Sequence, residues 1–308
     1  MKKSISGRRP WLASALAVAL AAAALRRWQL STAFDWLGLA VPGAQSSVIL
    51  VCLLLMAGAW FVILAVYQPV SKRPWSAGQA HRWDLVFLDS GDLVYPVLVV
   101  AAAFLAAASI PMLLPMGLDQ WQTYQAAVKA HLQPPSNNGV LTLATAVGAL
   151  LAFLGLLQMG RDGLHPGRRG KGGFSAALPG VAGCVWLMES FRAHAADPVL
   201  WDYTPLLLAI ACGMLFYMDF AGMSAGAARP RRLLWMAAMA AALSAVALVT
   251  AWMEGSWADV LLLLSQTIAA AAVLWRLPPN LENPPKLNGT PLPADGGEAS
   301  IQEETTHE

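Results

Sequence analysis

Charged side chains are scarce in this sequence. Only 12% of its 308 residues are Asp, Glu, Lys or Arg, whereas 57% are hydrophobic, and the mean hydropathy is +0.53. A soluble domain carries about 25% charged residues, so the composition predicts an all-α integral membrane protein. The net charge of +2 provides no bulk attraction to nucleic acid, and nucleic acid is not an expected partner.

Cysteine and recognisable catalytic motifs are also scarce. The three cysteines, Cys52, Cys184 and Cys212, lie inside apolar runs and form no C-x-x-C pair, so neither a disulfide framework nor a zinc site is predicted. The sequence has no H-E-x-x-H motif, and the basic loop 161–173 lacks the Walker spacing of a phosphate loop. We therefore predict no metal and no cofactor, and we favour a protein that is not an enzyme.

Eight apolar runs approach the roughly 20 residues that a membrane-spanning helix needs. They cover residues 11–25, 47–67, 93–114, 139–158, 174–190, 203–221, 233–253 and 258–276. The first and fifth are the weakest, because they are short and rich in Ala or Gly. The loops between the runs are too short to fold as separate domains, so any chemistry must occur within the membrane or at its surfaces.

Lysine and arginine are distributed unevenly between the two sets of loops. With the N-terminus inside, the inner segments hold 16 of the 20 basic residues, and the outer segments hold only Arg26, Arg27, Lys129 and Arg192. Cytoplasmic loops carry such an excess, which predicts a multi-pass plasma-membrane protein with both termini in the cytoplasm, and the compact loops suggest a bacterial source. Arg26 and Arg27 follow a small-residue run at 22–24, which favours an uncleaved first span over a signal peptide.

The densest group of acids beside apolar sequence is Asp84, Asp89 and Asp92, just before the third run. In the favoured interpretation Asp89 or Ser90 caps the third helix and Asp92 lies in its first turn, where the helix dipole favours a negative charge. In the alternative, the helix is broken and the acids line a polar cavity that binds a cation or another ligand. Asp84, Asp89 and Asp92 are therefore candidate binding residues.

Asp219 is the fourth candidate, because it lies at the C-terminal, inner end of the sixth run. The helix dipole disfavours an anion there, so the carboxylate needs a partner, and an arginine of the following inner loop, for example Arg229 or Arg231, is expected to supply one. An ion pair of this kind is favoured over a ligand site. Glu189 and Glu254 pose the same problem at outer helix ends.

Polar and small residues within the runs predict helix contacts. Ser265, Gln266 and Thr267 form the one strongly polar group near the middle of a run, which predicts hydrogen bonds between helices. Small residues at helical spacing, around Gly148, Gly180 and Gly213 for example, indicate close approach of neighbouring helices.

Several features are assigned to the membrane surfaces. Tryptophans near the predicted span ends are typical of an aromatic belt: they are Trp11, Trp28, Trp83, Trp186, Trp201, Trp235, Trp252, Trp257 and Trp275. Residues 118–132 carry an apolar helical stripe, which predicts a short helix on the outer surface, with docking of a partner as the alternative. The tail 277–308, with six prolines and six acids, is predicted to be disordered and cytoplasmic.

No motif identifies the function. Our first expectation is a non-enzymatic accessory or structural component that contacts the lipid bilayer and other membrane proteins. A small-solute transporter or channel with a polar cavity near Asp89 and Asp92 is the alternative, and a lipid-active enzyme is the second alternative. A transporter should have a mid-depth polar cavity reaching Gln266 and a repeat relating spans 1–4 to spans 5–8, whereas an accessory protein should have neither.

Overall fold

The computed structural model describes residues 8–35, 39, 41, 43–70, 93–135, 138–164, 172–194, 200–224 and 229–282. Each of the eight predicted runs corresponds to an α-helix within these ranges. The helices are α1 (Arg8–Thr32), α2 (Gln45–Tyr67), α3 (Val94–Lys129), α4 (Val140–Leu164), α5 (Gly172–His194), α6 (Leu200–Ser224), α7 (Pro230–Glu254) and α8 (Trp257–Glu282). Among the described residues, seven helices are long and apolar enough to cross a membrane, and α5 is the exception. The chain therefore has the helical topology of a multi-pass membrane protein.

Helices α1, α3, α4 and α8 each continue six or more residues past their predicted ends. Helix α1 includes Arg26 and Arg27 and reaches Thr32. Helix α8 continues beyond residue 277, and Leu281 in this extension is fully buried. Helix α3 spans 36 residues, which at 1.5 Å per residue is about 54 Å, against about 30 Å of bilayer hydrocarbon. The separate surface helix predicted from residue 118 is therefore wrong, because this segment continues α3 without a break. Of the predicted tail, residues 283–308 lie outside the described ranges.

Helices α3 to α8 form a closed ring. Each packs against the next in the chain, and α8 returns to pack against α3. The α1–α2 hairpin lies outside the ring, where it packs mainly on α7. The first four helices therefore do not occupy positions equivalent to those of the last four, and the four-plus-four repeat that a transporter was expected to have is absent from the described helices. Successive helices alternate in direction, so the ring has two ends, which we name the Glu189 end and the Asp219 end.

Small residues allow the ring helices to approach closely. A Cβ atom on Gly148 of α4 would lie 3.3 Å from the Cα of Ala182 in α5, and one on Gly155 would collide with the carbonyl oxygen of Ser175. Between α6 and α8, a Cβ on Gly213 would collide with the Gln266 amide. The close packing predicted around Gly148 and Gly213 is confirmed, and Gly155 is a further position of the same kind.

The tryptophans do not all lie at a membrane surface. Trp28, Trp252 and Trp257 are exposed, as an aromatic belt requires. Trp11 and Trp186 are buried in the protein instead, because each indole N–H has an acceptor outside its own helix: Trp11 donates to Gln68 Oε1 at 2.8 Å and Trp186 to Asp259 Oδ1 at 2.9 Å. For these two residues the belt interpretation is wrong.

Candidate solute-binding site

Of the four candidate binding residues, only Asp219 is within the described part of the chain, since Asp84, Asp89 and Asp92 lie outside it. Asp219 Oδ2 forms an ion pair with Arg232 Nε at 2.9 Å. The predicted ion pair with an inner-loop arginine is confirmed, and the arginine that forms it is Arg232 rather than the two given as examples, Arg229 and Arg231. An acid near the end of α6 and a base in the first turn of α7 each oppose the local helix dipole, and pairing offsets both penalties. The ion pair accounts for the position of Asp219 without a ligand.

A polar space lies elsewhere, inside the ring at the Glu189 end. This space, which we call the chamber, has a volume of about 220 Å³. It is lined by Met116 and Gln120 of α3, Glu189, Ser190, Ala193 and His194 of α5, Tyr203 and Leu206 of α6, Ala247, Thr250, Ala251 and Glu254 of α7, and Ser256 and Asp259 at the start of α8. Three carboxylates line it, and none of its described lining residues is Lys or Arg.

Asp259 is held in position by two donors. It lies in the first turn of α8, where the helix dipole stabilises a carboxylate. The Ser256 hydroxyl donates to Asp259 Oδ2 at 2.5 Å, and the Trp186 indole donates to Oδ1 at 2.9 Å. Because each oxygen accepts one of these bonds, the carboxylate is fixed in orientation while lone pairs remain for a further donor.

Glu189 is half-buried on the α5 side of the chamber, in the next-to-last turn of the helix. The Thr142 hydroxyl lies 3.3 Å from Glu189 Oε1 and 2.9 Å from Gln120 Oε1. One hydroxyl proton is therefore shared between two acceptors, so this neighbour does little to neutralise Glu189. Glu189 and Asp259 line the same chamber, and repulsion between these like charges favours a bound cation.

His194 and Tyr203 form the aromatic part of the chamber wall. Their rings stack with centroids 4.9 Å apart, and His194 Nδ1 lies 2.8 Å from the Ser190 carbonyl oxygen. The stack joins the end of α5 to the first turns of α6. It places an aromatic face in the same wall as the three acids, an arrangement suited to an organic cation.

A second, narrower space of about 40 Å³ lies deeper in the ring. We call it the inner cavity. It is lined by Ala106 of α3, Thr145, Ala149, Ala152 and Leu156 of α4, Pro179, Ala182, Gly183 and Trp186 of α5, Tyr217 of α6, and Leu262, Ser265 and Gln266 of α8. Small side chains from α3, α4 and α5 leave this space open.

Thr145, Ser265 and Gln266, which line the inner cavity, donate their hydrogens to other groups of the protein. Thr145 Oγ1 donates to the Leu141 carbonyl at 2.9 Å, and Ser265 Oγ donates to the Ala102 carbonyl at 2.7 Å. Gln266 Nε2 donates to the Ala209 carbonyl at 2.8 Å and to Ser244 Oγ at 2.9 Å. The predicted interhelical bonding is confirmed for Ser265 and Gln266. Since the hydroxyl protons of Thr145 and Ser265 are committed, these two groups can offer only oxygen lone pairs to an occupant.

Trp186 stands between the two spaces. On α5, Ala182, Gly183 and Trp186 line the inner cavity, and the chamber begins at Glu189, about one turn further along the same helix. The Trp186 side chain lines the inner cavity, while its N–H bonds to Asp259, which lines the chamber. The two spaces therefore follow one another along α5 and α8, and the Trp186 indole lies at the boundary between them.

The sequence did not identify Asp259, His194 or Trp186 as site residues. The available signal was local: Ser256 and Asp259 have the spacing of a helix cap, and the segment Trp186–Ser190 is similar to Trp252–Ser256. In the structure Glu189 and Glu254 from these two segments line the same chamber. The tryptophans differ, because Trp252 is exposed and packs edge-on against Trp257.

Comparisons do not assign this site. No protein-family model matches the chain, and neither curated proteins nor solved structures give a match. Among the described residues, no group of three or more His, Cys, Asp or Glu side chains is placed to hold a metal ion. The interpretation of the chamber therefore depends on its own geometry.

Proposed function

We propose that the chain is a small-solute transporter whose path runs through the chamber and the inner cavity of the α3–α8 ring. The observation that carries this proposal is the succession of a polar 220 Å³ space and a 40 Å³ space reaching Gln266. An accessory protein that acts by helix packing alone has no need of either. This is the alternative raised by the sequence, but with Glu189 and Asp259 in place of Asp89 and Asp92, and without the four-plus-four repeat.

The solute class follows from the charges of the path. Of the three carboxylates that line the chamber, Glu189 and Asp259 carry this argument, and a low-dielectric surrounding strengthens their attraction for a cation. Arg26 bonds Thr250 in the α7 wall, whereas Glu189 and Asp259 lie on α5 and α8. The inner cavity presents hydroxyl oxygens whose protons are already used. Acceptors at both levels suit a small cation that carries N–H donors. We therefore propose a protonated amine as the solute.

The direction in which the chamber faces follows from the charge bias of the loops. If both termini are cytoplasmic, as the excess of basic residues predicts, the Glu189 end faces the outside of a plasma membrane. The chamber then receives its solute from the exterior, and the inner cavity lies on the way to the cytoplasm.

Binding of methylammonium to the full chain in lipid nanodiscs tests this function. We expect saturable binding of radiolabelled methylammonium, weakened about tenfold or more by Glu189→Gln or Asp259→Asn, because a tenfold loss corresponds to about 1.4 kcal/mol and a charge-assisted hydrogen bond contributes at least as much. Asp119→Asn is the matched control, since Asp119 is exposed at the same end but does not line the chamber. It should bind like the parent.

Two results would overturn the proposal. One is the absence of saturable methylammonium binding in the folded parent protein. The other is an equal loss of binding in Asp119→Asn and Glu189→Gln, which would mean that surface charge alone attracts the cation. Uptake of methylammonium into proteoliposomes then separates transport from binding, because a protein that only binds the amine will not accumulate it in the vesicle.

A further inference from the structure

The geometry points to Trp186 as the gate between the chamber and the inner cavity, and to Asp259 as the group that operates it. This inference rests on the proposed function, because it concerns how an amine bound in the chamber passes inward. The gate is the hydrogen bond from the Trp186 indole to Asp259 Oδ1.

Trp186 is built into the ring interior. Its side chain is only 6% exposed, although the residue lies in the C-terminal part of α5, which ends at His194. Its N–H is the only hydrogen-bond donor that an indole has, and it is committed to Asp259 at 2.9 Å. The polar edge of the indole is therefore held by a single hydrogen bond to a residue of another helix.

A protonated amine in the chamber competes for that bond. An ammonium group makes a charge-assisted hydrogen bond to a carboxylate that is roughly twice as strong as a bond between neutral groups. When the amine binds the remaining lone pairs of Asp259, its positive charge weakens the bond that Oδ1 accepts from the neutral indole, while Ser256 still holds Oδ2. The indole ring of Trp186 is then free to turn away from the boundary between the two spaces, and the inner cavity becomes continuous with the chamber.

The inner cavity selects among the cations that arrive. Its 40 Å³ accommodates a few water-sized groups, since about 10–15 Å³ of such volume holds one water. Thr145 and Ser265 offer lone pairs that an N–H donor can meet. Tetramethylammonium has no N–H and is bulkier, so it is attracted into the chamber but neither releases the indole nor enters the cavity.

The gate is tested by the accessibility of the inner cavity to a small cation. In a background with the three cysteines replaced by alanine, Ala149→Cys places a thiol in the inner cavity and Ala193→Cys places one in the chamber. The rate of modification by Ag⁺ is measured in nanodiscs. With Trp186 present, we expect the thiol of Ala149→Cys to react about tenfold or more slowly than that of Ala193→Cys. A tenfold difference corresponds to a free-energy difference of about 1.4 kcal/mol between the closed and open gate. Trp186→Phe should remove most of the difference in rate.

Trp252→Phe is the matched control, because it makes the same change at an exposed tryptophan and should leave the rate at Ala149→Cys unchanged. Asp259→Leu provides a second route, since it removes the acceptor and keeps the indole, and it should also speed the reaction. If Trp186→Phe and Asp259→Leu both fold and the thiol of Ala149→Cys reacts with Ag⁺ as slowly in them as in the parent, the proposed gate is refuted. This holds even if the parent binds methylammonium. If methylammonium does not bind at all, the proposed function fails first, and the two failures are thereby distinguished.

Discussion

Neighbouring residues of the same type have different roles in this molecule. Arg26 is fully buried and donates from Nε to Thr250 Oγ1 at 2.9 Å and from a terminal nitrogen to Gln29 Oε1 at 2.8 Å. Arg27 is exposed and contacts the sulfur of Met253. A buried guanidinium is stable only when its donors are satisfied, so Arg26 joins α1 to α7 whereas Arg27 faces outward.

Replacing each arginine in turn tests this difference. Arg26→Leu should lower the free energy of unfolding by about 2 kcal/mol, because Thr250 and Gln29 lose a buried partner. Arg27→Leu should change it by less than about 0.5 kcal/mol, as is usual for surface substitutions. Unfolding of both variants in mixed micelles measures the difference. Equal stability of the two would contradict the assignment of Arg26 as the contact that fixes α1.

At the scale of elements, the α4–α5 contact depends on a glycine rather than on large apolar side chains. The backbone of Gly155 lies against Ser175 and Pro179 of α5. Dispersion and close packing, rather than the exclusion of water, hold helices together within a bilayer. Added volume at this position therefore has no space to occupy.

Gly155→Ala should destabilise the protein by about 1–3 kcal/mol, as overpacking of a filled interior does. Gly58→Ala in α2 is the control, because its Cβ would meet only the Met239 sulfur at 3.8 Å. That change should be neutral or stabilising by up to about 1 kcal/mol, since alanine favours helix more than glycine does. Thermal unfolding of the purified variants measures both effects, and a stability of Gly155→Ala equal to the parent would contradict the packing argument.

At the scale of the whole molecule, the two ends of the ring face opposite sides of the membrane if the helices span it. Single cysteines in the cysteine-free background test which side is which. Ala130→Cys, at the end of α3, should react with a membrane-impermeant maleimide in intact cells, and Arg229→Cys, before α7, should react only after permeabilisation, because basic loops stay in the cytoplasm. The reverse pattern would refute the predicted orientation and turn the chamber inward.

Apolar length predicted where the helices are, but not how they are arranged. Ala240 of α7 is buried and Leu55 of α2 is largely exposed, yet both are apolar, because lipid and protein interior favour the same residue types. The sequence therefore carries little information on which face of each helix contacts which neighbouring helix. The chamber was missed for a related reason: Glu189 and Asp259 are far apart in the chain and line one space only when the ring closes. Asp219, by contrast, could be assigned to an ion pair from its place at a helix end.

The position of the α1–α2 hairpin has a consequence for biosynthesis. This hairpin leaves the ribosome first, but its main contact is α7, and Arg26 finds Thr250 only 224 residues later. Translation at about 5–20 residues per second makes that interval roughly 10–45 seconds. If the helices span a membrane, the first hairpin resides in the bilayer during this time without its final neighbours, and Arg26 must be satisfied by Gln29, lipid headgroups or water. Assembly is therefore completed by the last hairpin, which both closes the ring on α3 and provides the surface on which the first one docks.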